Sequence, residues 1–357
     1  MTIEPHLESF HVVRLNAKLF PVPPVEEEVY RRYNLLPFKV EANDPENIVK
    51  HAANCDALVV VSASLPAEVI NKLDRCRVIS RLGTGTDKIA VDVATERGIL
   101  VTNIPMFCVE EQADHTMALL LALERQLPTM AQRMREGAWR LSRQEAKANQ
   151  RLSGRVLGLV GFGNSARAVA RRATGFGLRV IATRRQQDAP DAEAIALGVE
   201  MVTLDALVAT SDYISLHLPL NDETRHLFDA DRLATMKPGA MLINTSRGAI
   251  VDENALVDVL RDGHLRGAGI DTFSCINLHN EVETPPDHPM VALDNVVLTP
   301  HVGAYSEQAM ADVARGGIDN LVAVLSGYWP PPENVVNSNV TPRDPLAPPT
   351  TDGGAAM

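Results

Sequence analysis

Short apolar runs recur along the chain at intervals that leave room for a helix between each pair. In the first third these are "ALVVV" (57 to 61), "RVIS" (77 to 80) and "ILVT" (99 to 102). Beyond residue 150 the rhythm continues with "RVLGLVG", "LRVIAT", "DYISLHL", "AMLIN", "GAGID" and "NVVLT". Each of the later runs is continuous in apolar character instead of alternating, as a strand with one wet face would, so both faces of the sheet are expected to be covered. Between the first two lies "SARAVARRATGF", in which Ala166, Val169, Ala170, Ala173 and Phe176 recur at helical spacing while Arg167, Arg171 and Arg172 point elsewhere. Strand, turn, helix and strand in this order predict α/β architecture, and six such strands from about 154 to 300 predict a complete doubly wound parallel sheet.

Upstream, "VEEQADHTMALLLALERQL" reads as a long helix with apolar residues on more than one face, which predicts burial between domains or subunits. The last stretch, "SNVTPRDPLAPPTTDGGAAM", is rich in Pro, Thr and Gly and has little to bury, so it is expected to be a mobile tail.

Length and composition narrow the picture. A chain of 357 residues is long for one core and predicts two domains with a cleft between them. With 45% apolar and 22% charged residues, it has the mix of a globular protein. Acidic residues outnumber basic ones by 45 to 34, the formal charge is -11 and the arginines are scattered, which argues against a nucleic-acid partner. No run approaches the roughly 18 apolar residues of a membrane span, and "MTIEPHLESF" lacks a signal-peptide pattern. A cytoplasmic protein with no membrane partner is the expectation. Cys55, Cys76, Cys108 and Cys275 form no Cys-x-x-Cys pair, so buried free thiols are expected, with neither disulfide nor metal site.

Candidate chemistry begins at "VGFGNSA". Gly161 and Gly163 end a strand and Ala166 takes the third position of the G-x-G-x-x-G/A fingerprint, with Asn164 and Ser165 between them. Gly161 permits a tight turn, Gly163 lets the backbone approach a pyrophosphate, and Ala166 lets the helix pack close to the strand. An acidic residue about twenty positions on ordinarily holds the ribose 2'-hydroxyl of NAD. Here "VIATRRQQ" puts Arg184 and Arg185 at that strand end. A guanidinium binds a 2'-phosphate that a carboxylate would repel, so NADP is favoured over NAD.

Further pieces carry a family resemblance: "SRLGTGTDKI", "ATERGILVTNIP", "CVEEQADHTMALLLAL", "LGLVGFGNSARAVA", "HLPLNDETRHLF", "MKPGAMLINTSRGAIVDE", "GAGIDTF" and "NVVLTPHVGAYS". From about residue 55 to 337 the chain resembles the D-isomer-specific 2-hydroxyacid dehydrogenases, which include D-3-phosphoglycerate dehydrogenases and glyoxylate/hydroxypyruvate reductases. The resemblance implies two Rossmann-like domains: a discontinuous substrate domain over 1–106 and 302–337, and an inserted dinucleotide-binding domain over 107–301, with 338–357 left as tail. It also implies a homodimer to which the long helix after Cys108 contributes.

Reduction of a 2-keto acid needs a cation for the carboxylate and carbonyl, a proton donor and a hydride held in line. By resemblance Arg247 in "NTSRG" orients the substrate, and its fork can grip two oxygens together. His301 in "TPHVGA" matches the acid/base histidine of the family, and an unperturbed imidazole titrates near neutrality, which suits both directions. The supporting glutamate of the family should stand three residues after Phe273, but that position is Ile276. A longer loop follows, and either Glu281 or Glu283 is expected to take its place. Gly83, Thr84 and Gly85 match a turn that binds the substrate carboxylate, and their glycines suit an anion-binding backbone. Asp271 is expected to orient the nicotinamide carboxamide, while His217, Pro219, Thr224 and Thr245 line the cofactor. The expected activity is hydride transfer between NADP(H) and a small 2-keto or D-2-hydroxy acid. A phosphoglycerate dehydrogenase-like enzyme and a dinucleotide-sensing scaffold of the C-terminal-binding-protein corepressor type are the alternatives.

Overall fold

The computed structural model describes residues 7–186, 191–276 and 286–349. The chain divides into two compact units, one made of Met1–Phe107 with Ser306–Met357 and the other of Cys108–Tyr305. Each is built on a parallel sheet.

In the first unit, β1 (Val12–Leu15), β2 (Phe38–Val40), β3 (Ala57–Val60), β4 (Val78–Arg81) and β5 (Leu100–Thr102) pair in the order β2-β1-β3-β4-β5. Successive side chains alternate between two cores. Val13, Leu15, Leu58, Val60, Ile79 and Val101 enter one. Val12, Val59, Val78 and Leu100 enter the other, where Val313, Ile318 and Leu321 of the helix Glu307–Leu325 cover them. β1 does not read as an apolar run because Arg14 interrupts it, yet Arg14 is only 2% exposed. Its guanidinium donates to Glu26 Oε1 at 3.1 Å and Oε2 at 3.2 Å, and the Tyr30 hydroxyl donates to Glu26 Oε1 at 3.1 Å. A buried charge is tolerated where it is paired and hydrogen-bonded in this way.

The expected mobile tail needs correction over residues 338–349. Val340 is buried, the Arg343 backbone N–H donates to Gly98 O at 3.0 Å, and Trp329 N donates to Ala347 O at 2.9 Å. The Arg343 guanidinium donates to the carbonyls of Arg97 (2.8 Å), Leu73 (3.0 Å) and Asp74. What orders this stretch is hydrogen bonding to backbone carbonyls, which an inventory of apolar residues overlooks. Residues 350–357 lie outside the described residues.

The second unit holds β6 (Val156–Val160), β7 (Arg179–Thr183), β8 (Glu200–Met201), β9 (Tyr213–Leu216), β10 (Met241–Asn244), β11 (Gly267–Ile270) and β12 (Val296–Leu298). They pair in the order β12-β11-β10-β9-β6-β7-β8, all parallel. The six expected strands are present, and the seventh, β8, is a two-residue edge too short to read from pattern. One face packs Leu157, Leu159 and Ile243 against Ala113, Met117 and Leu120 of the helix Val109–Glu124 and Ala166, Val169 and Ala173 of the helix Asn164–Gly175. The other packs Val156, Val160, Ile214 and Leu242 against Leu256 and Leu260 of the helix Glu253–Arg261. Largely apolar strands are the consequence of this double cover. The long helix ends at Glu124, because Gln126 takes a left-handed φ of 51° and a second helix, Leu127–Arg135, begins with proline in its first turn.

Cys55, Cys76 and Cys108 are buried, but Cys275 is exposed, so the expectation of four buried thiols fails there. Phe176 also departs from expectation: it follows the last helical residue, Gly175, and is exposed. Among the described residues no helix is long and apolar enough to cross a membrane, and no cluster of His, Cys, Asp and Glu could hold a metal.

Candidate functional site

In the second unit the fingerprint turn follows β6. Gly161 has φ 91°, and a Cβ there would collide with the His217 carbonyl oxygen, so both conformation and space demand glycine. Gly163 is different: a Cβ would meet nothing within 4 Å. It is the N-cap of the helix Asn164–Gly175, whose first turn no side chain caps. The open approach to these amides, with exposed Asn164 beside them and fully buried Ala166 seating the helix on the sheet, fits the pyrophosphate of a dinucleotide.

The sheet edge next to this turn is braced by His217. Its Nδ1 pairs with Ser165 Oγ at 3.2 Å and its Nε2 with Ser215 Oγ at 2.9 Å. Burial pushes the imidazole down to about 4, so it is neutral near pH 7. The Thr224 hydroxyl donates to Pro219 O at 2.7 Å and accepts from Asn221 N at 2.9 Å, fastening the turn after β9. Pro219 itself is exposed. Thr245, buried at the end of β10, shares a 3.0 Å hydroxyl contact with Thr116, and its carbonyl accepts from Gln112 Nε2 at 2.8 Å. Thr224 and Thr245 therefore shape the edge from within.

At the end of β7, Arg184 Nη1 donates to Asp191 Oδ2 at 2.7 Å. The same carboxylate is held by Arg167 through Nη1 to Oδ1 (2.8 Å) and Nη2 to Oδ2 (2.6 Å), and it caps the helix Ala192–Ala196 by accepting from Ala194 N at 3.0 Å. The Arg167 hydrogen bonds, then the Ala194 amide, hold Asp191 far below the usual carboxylate range. Asp191, the partner of candidate Arg184, has no place in the sequence-based expectations; its position before a short helix marks a cap but not the arginines it gathers. Arg185 pairs with Glu223, and both are more than 70% exposed.

The ends of β10, β11 and β12 carry the remaining candidates. Asn244, buried, donates through Nδ2 to Arg247 O at 2.9 Å and accepts from Ser246 N at 3.1 Å and Ser246 Oγ at 2.9 Å. This holds the turn that presents half-buried Arg247, whose Nη1 donates to Ser246 O at 2.8 Å. A Cβ on Gly248 would collide with the Phe273 and Ser274 backbone, so the segment after β11 lies directly against this turn. Buried Glu253 accepts from Ser274 N at 2.7 Å and Cys275 N at 2.8 Å and fixes the start of the following loop. Glu281 and Glu283, the expected supports of His301, lie in that loop outside the described residues.

His301 is exposed and adopts φ 57°, a left-handed conformation uncommon for a residue with a side chain. Its N–H donates to Thr299 O at 2.9 Å. Asp271, 1% exposed, anchors both flanks: Oδ1 accepts from Thr299 Oγ1 (2.6 Å) and Val302 N (2.9 Å), and Oδ2 from Gly303 N (2.9 Å). Burial by itself would raise this carboxyl, but the hydrogen bonds from His115, Thr299 and the two amides outweigh it and the result is a lowered pKa. A carboxylate has about four acceptor positions, so Oδ2 can take one donor more.

In the first unit, Gly83 has φ 143° and a Cβ there would collide with the Arg81 guanidinium. Arg81 Nε donates to Gly85 O at 3.0 Å, Asn103 Nδ2 to Thr84 O at 2.6 Å, and Ile104 N to Gly83 O at 3.0 Å. The carbonyls of Gly83, Thr84 and Gly85 are thus all occupied by donors of this unit, which gives the turn a fixed backbone.

Comparison with known proteins gives the chemistry its context. Residues 117–303 match the family described as D-isomer specific 2-hydroxyacid dehydrogenase, NAD binding domain. The chain is 39% identical over 298 residues to a glyoxylate reductase of Korarchaeum cryptofilum, covering 82% of this chain and 86% of that protein. It is 35% identical over 342 residues to a D-3-phosphoglycerate dehydrogenase of Mycobacterium bovis, covering 94% of this chain but only 61% of that protein. The crystal structure of the TT0316 protein from Thermus thermophilus superposes with a TM-score of 0.79 at 35% identity, covering 91% of this chain and 99% of that one. The chain belongs to the D-isomer-specific 2-hydroxyacid dehydrogenases, oxidoreductases that act on a CH–OH donor with a nicotinamide dinucleotide.

Proposed function

We propose that the chain is a reductase that transfers hydride between NADP(H) and a small 2-keto acid of the glyoxylate or hydroxypyruvate type. The observation that carries this reading is the pair of arginines at the end of β7. Arg184 leans on a carboxylate that Arg167 already grips with both guanidinium nitrogens. A 2'-phosphate can therefore recruit Arg184 while Asp191 stays neutralised. Arg185 is held by an exposed ion pair with Glu223, and such pairs contribute little, so it can turn toward the same phosphate at small cost.

The nicotinamide, when bound, supplies the hydride. Arg247 orients the substrate carboxylate and carbonyl oxygen, and His301 gives its proton to that oxygen and takes it back in the reverse direction. Glu281 or Glu283 supports the imidazolium. The small substrate is supported by the likeness to a glyoxylate reductase along most of both chains. A phosphoglycerate dehydrogenase activity is the second reading, supported by 35% identity over 94% of this chain to a relative of that name, of whose length the chain spans about 61%.

We further propose a homodimer, supported by exposed Leu127 and Met134 on the helix Leu127–Arg135 and exposed Trp139 and Leu141 on the helix Trp139–Glu145. Light scattering on the purified protein tests it. For the activity, the test is a matrix of glyoxylate, hydroxypyruvate, pyruvate and bulkier 2-keto acids against NADH and NADPH. The highest kcat/KM is expected for a small acid with NADPH. Equal use of NADH overturns the cofactor assignment, and tight cofactor binding with no turnover of any acid favours a dinucleotide-sensing scaffold.

A further inference from the structure

We propose that His115, on the helix Val109–Glu124, is a positioning residue for His301. The inference rests on the assignment of His301 as the acid/base group and adds what holds it in place. His115 Nε2 lies 2.9 Å from Thr299 Oγ1 and 3.4 Å from Asp271 Oδ1. The Thr299 hydroxyl gives its single proton to Asp271 Oδ1, so toward His115 it can only accept. His115 therefore carries its proton on Nε2, and the direction of every bond in the chain His115, Thr299, Asp271 is fixed.

That chain ends on the His301 loop. Thr299 lies two residues before His301 and receives its N–H, while Val302 and Gly303, immediately after it, donate to Asp271. His301 sits between these anchors in a left-handed conformation, which persists only where the surroundings over-determine it. The loop also lies against His115 sterically: a Cβ on Gly303 would be 2.9 Å from Asp271 Oδ2 and 3.2 Å from His115 Cδ2. Among these groups only His115 belongs to the long helix, whose Ala113, Met117 and Leu120 are packed in the core on either side of it. His115 thus ties the loop to a rigid element, and without it the Thr299 hydroxyl loses its hydrogen bond to that helix.

The experiment compares the full chain with His115→Leu, His115→Gln, His115→Asn and His301→Gln, measuring kcat and KM for keto acid and cofactor, with circular dichroism as the fold control. His115→Leu should lower kcat by about 10- to 100-fold, the scale of a misplaced catalytic group, and leave both KM values within about twofold. Gln places an N–H donor within reach of Thr299 and should restore most of the loss, whereas the shorter Asn should not. Should the Leu variant not fold, the Gln and Asn pair decides alone. Wild-type kcat in the Leu or Asn variant, or a loss that Gln does not restore, overturns the proposal. An inactive His301→Gln beside an unaffected His115→Leu sinks only the positioning role. An active His301→Gln sinks the assignment of His301 itself.

Discussion

Asp191 and Asp271 are both buried carboxylates of the second unit, and they are satisfied in opposite ways. Asp191 is surrounded by long charged side chains, Arg167 and Arg184, with one backbone amide. Asp271 is surrounded by a short hydroxyl and two backbone amides, with His115 behind them. Guanidinium groups on flexible stems can exchange one anion for another, while backbone amides move only if the loop moves. The first arrangement suits a place where a ligand phosphate competes for the cation. The second suits a place where a residue must be held still.

The largest test of this contrast is His301→Gln, which leaves the Asp271 anchors untouched and removes the proton. A fall of about 1000-fold in kcat is expected, within the usual range of general acid–base catalysis, and stopped-flow reduction of a 2-keto acid measures it. Next is Asp271→Asn, which turns an acceptor oxygen into a donor facing donors. We expect kcat to fall about 100-fold through loss of loop geometry, with roughly 2 kcal/mol of stability lost, read as a melting temperature lower by about 4 to 8 °C. A variant that melts normally and turns over normally would show that the carboxylate does not hold the loop.

At the other carboxylate, Arg184→Asp should lower kcat/KM for NADPH about tenfold and change that for NADH far less. Asp191→Asn should act in the opposite sense by releasing Arg184, and a loss for NADPH in that variant would mean that Asp191 positions the arginine. The smallest effect concerns His217, whose hydrogen-bond partners among the described residues are two serine hydroxyls. Its shift comes from burial alone, so its NMR titration midpoint should lie near 4. The unfolded imidazole takes its proton near 6.5, so stability should be lost as pH falls from about 6.5 toward 4. A midpoint near 6.5 would mean that the ring is solvated.

What could be read from the chain followed from double cover and from glycine. The six long runs of the second unit are visible because both faces of each strand are apolar, and Gly161 is visible because no other residue fits its turn. β1 was hidden because Arg14 is neutralised by Glu26, itself held by the Tyr30 hydroxyl of the same helix Pro24–Arg32, a pairing that exists only after folding. The same holds for Asp191, Glu253 and His115. Each is a polar residue whose meaning lies in a partner brought close by the fold, at separations as large as the 184 residues between His115 and Thr299. The resemblance named the ends of the strands, and the hydrogen bonds supply the scaffolding behind them.

The helix Glu307–Leu325 also orders events in time. A growing chain presents Val12, Val59, Val78 and Leu100 early, but the side chains that cover them are made only after the entire second unit. At typical translation rates of about 5 to 20 residues per second, that wait over roughly 200 residues is about 10 to 40 s. The contiguous unit can close while still attached to the ribosome, whereas one face of the earlier-made sheet, joined early only by residues such as Val29 and Tyr30, stays incomplete until residues 307–325 have been made. A chaperone that shields apolar surface is accordingly expected to engage the first hundred residues of the nascent chain before residues 307–325 have been made.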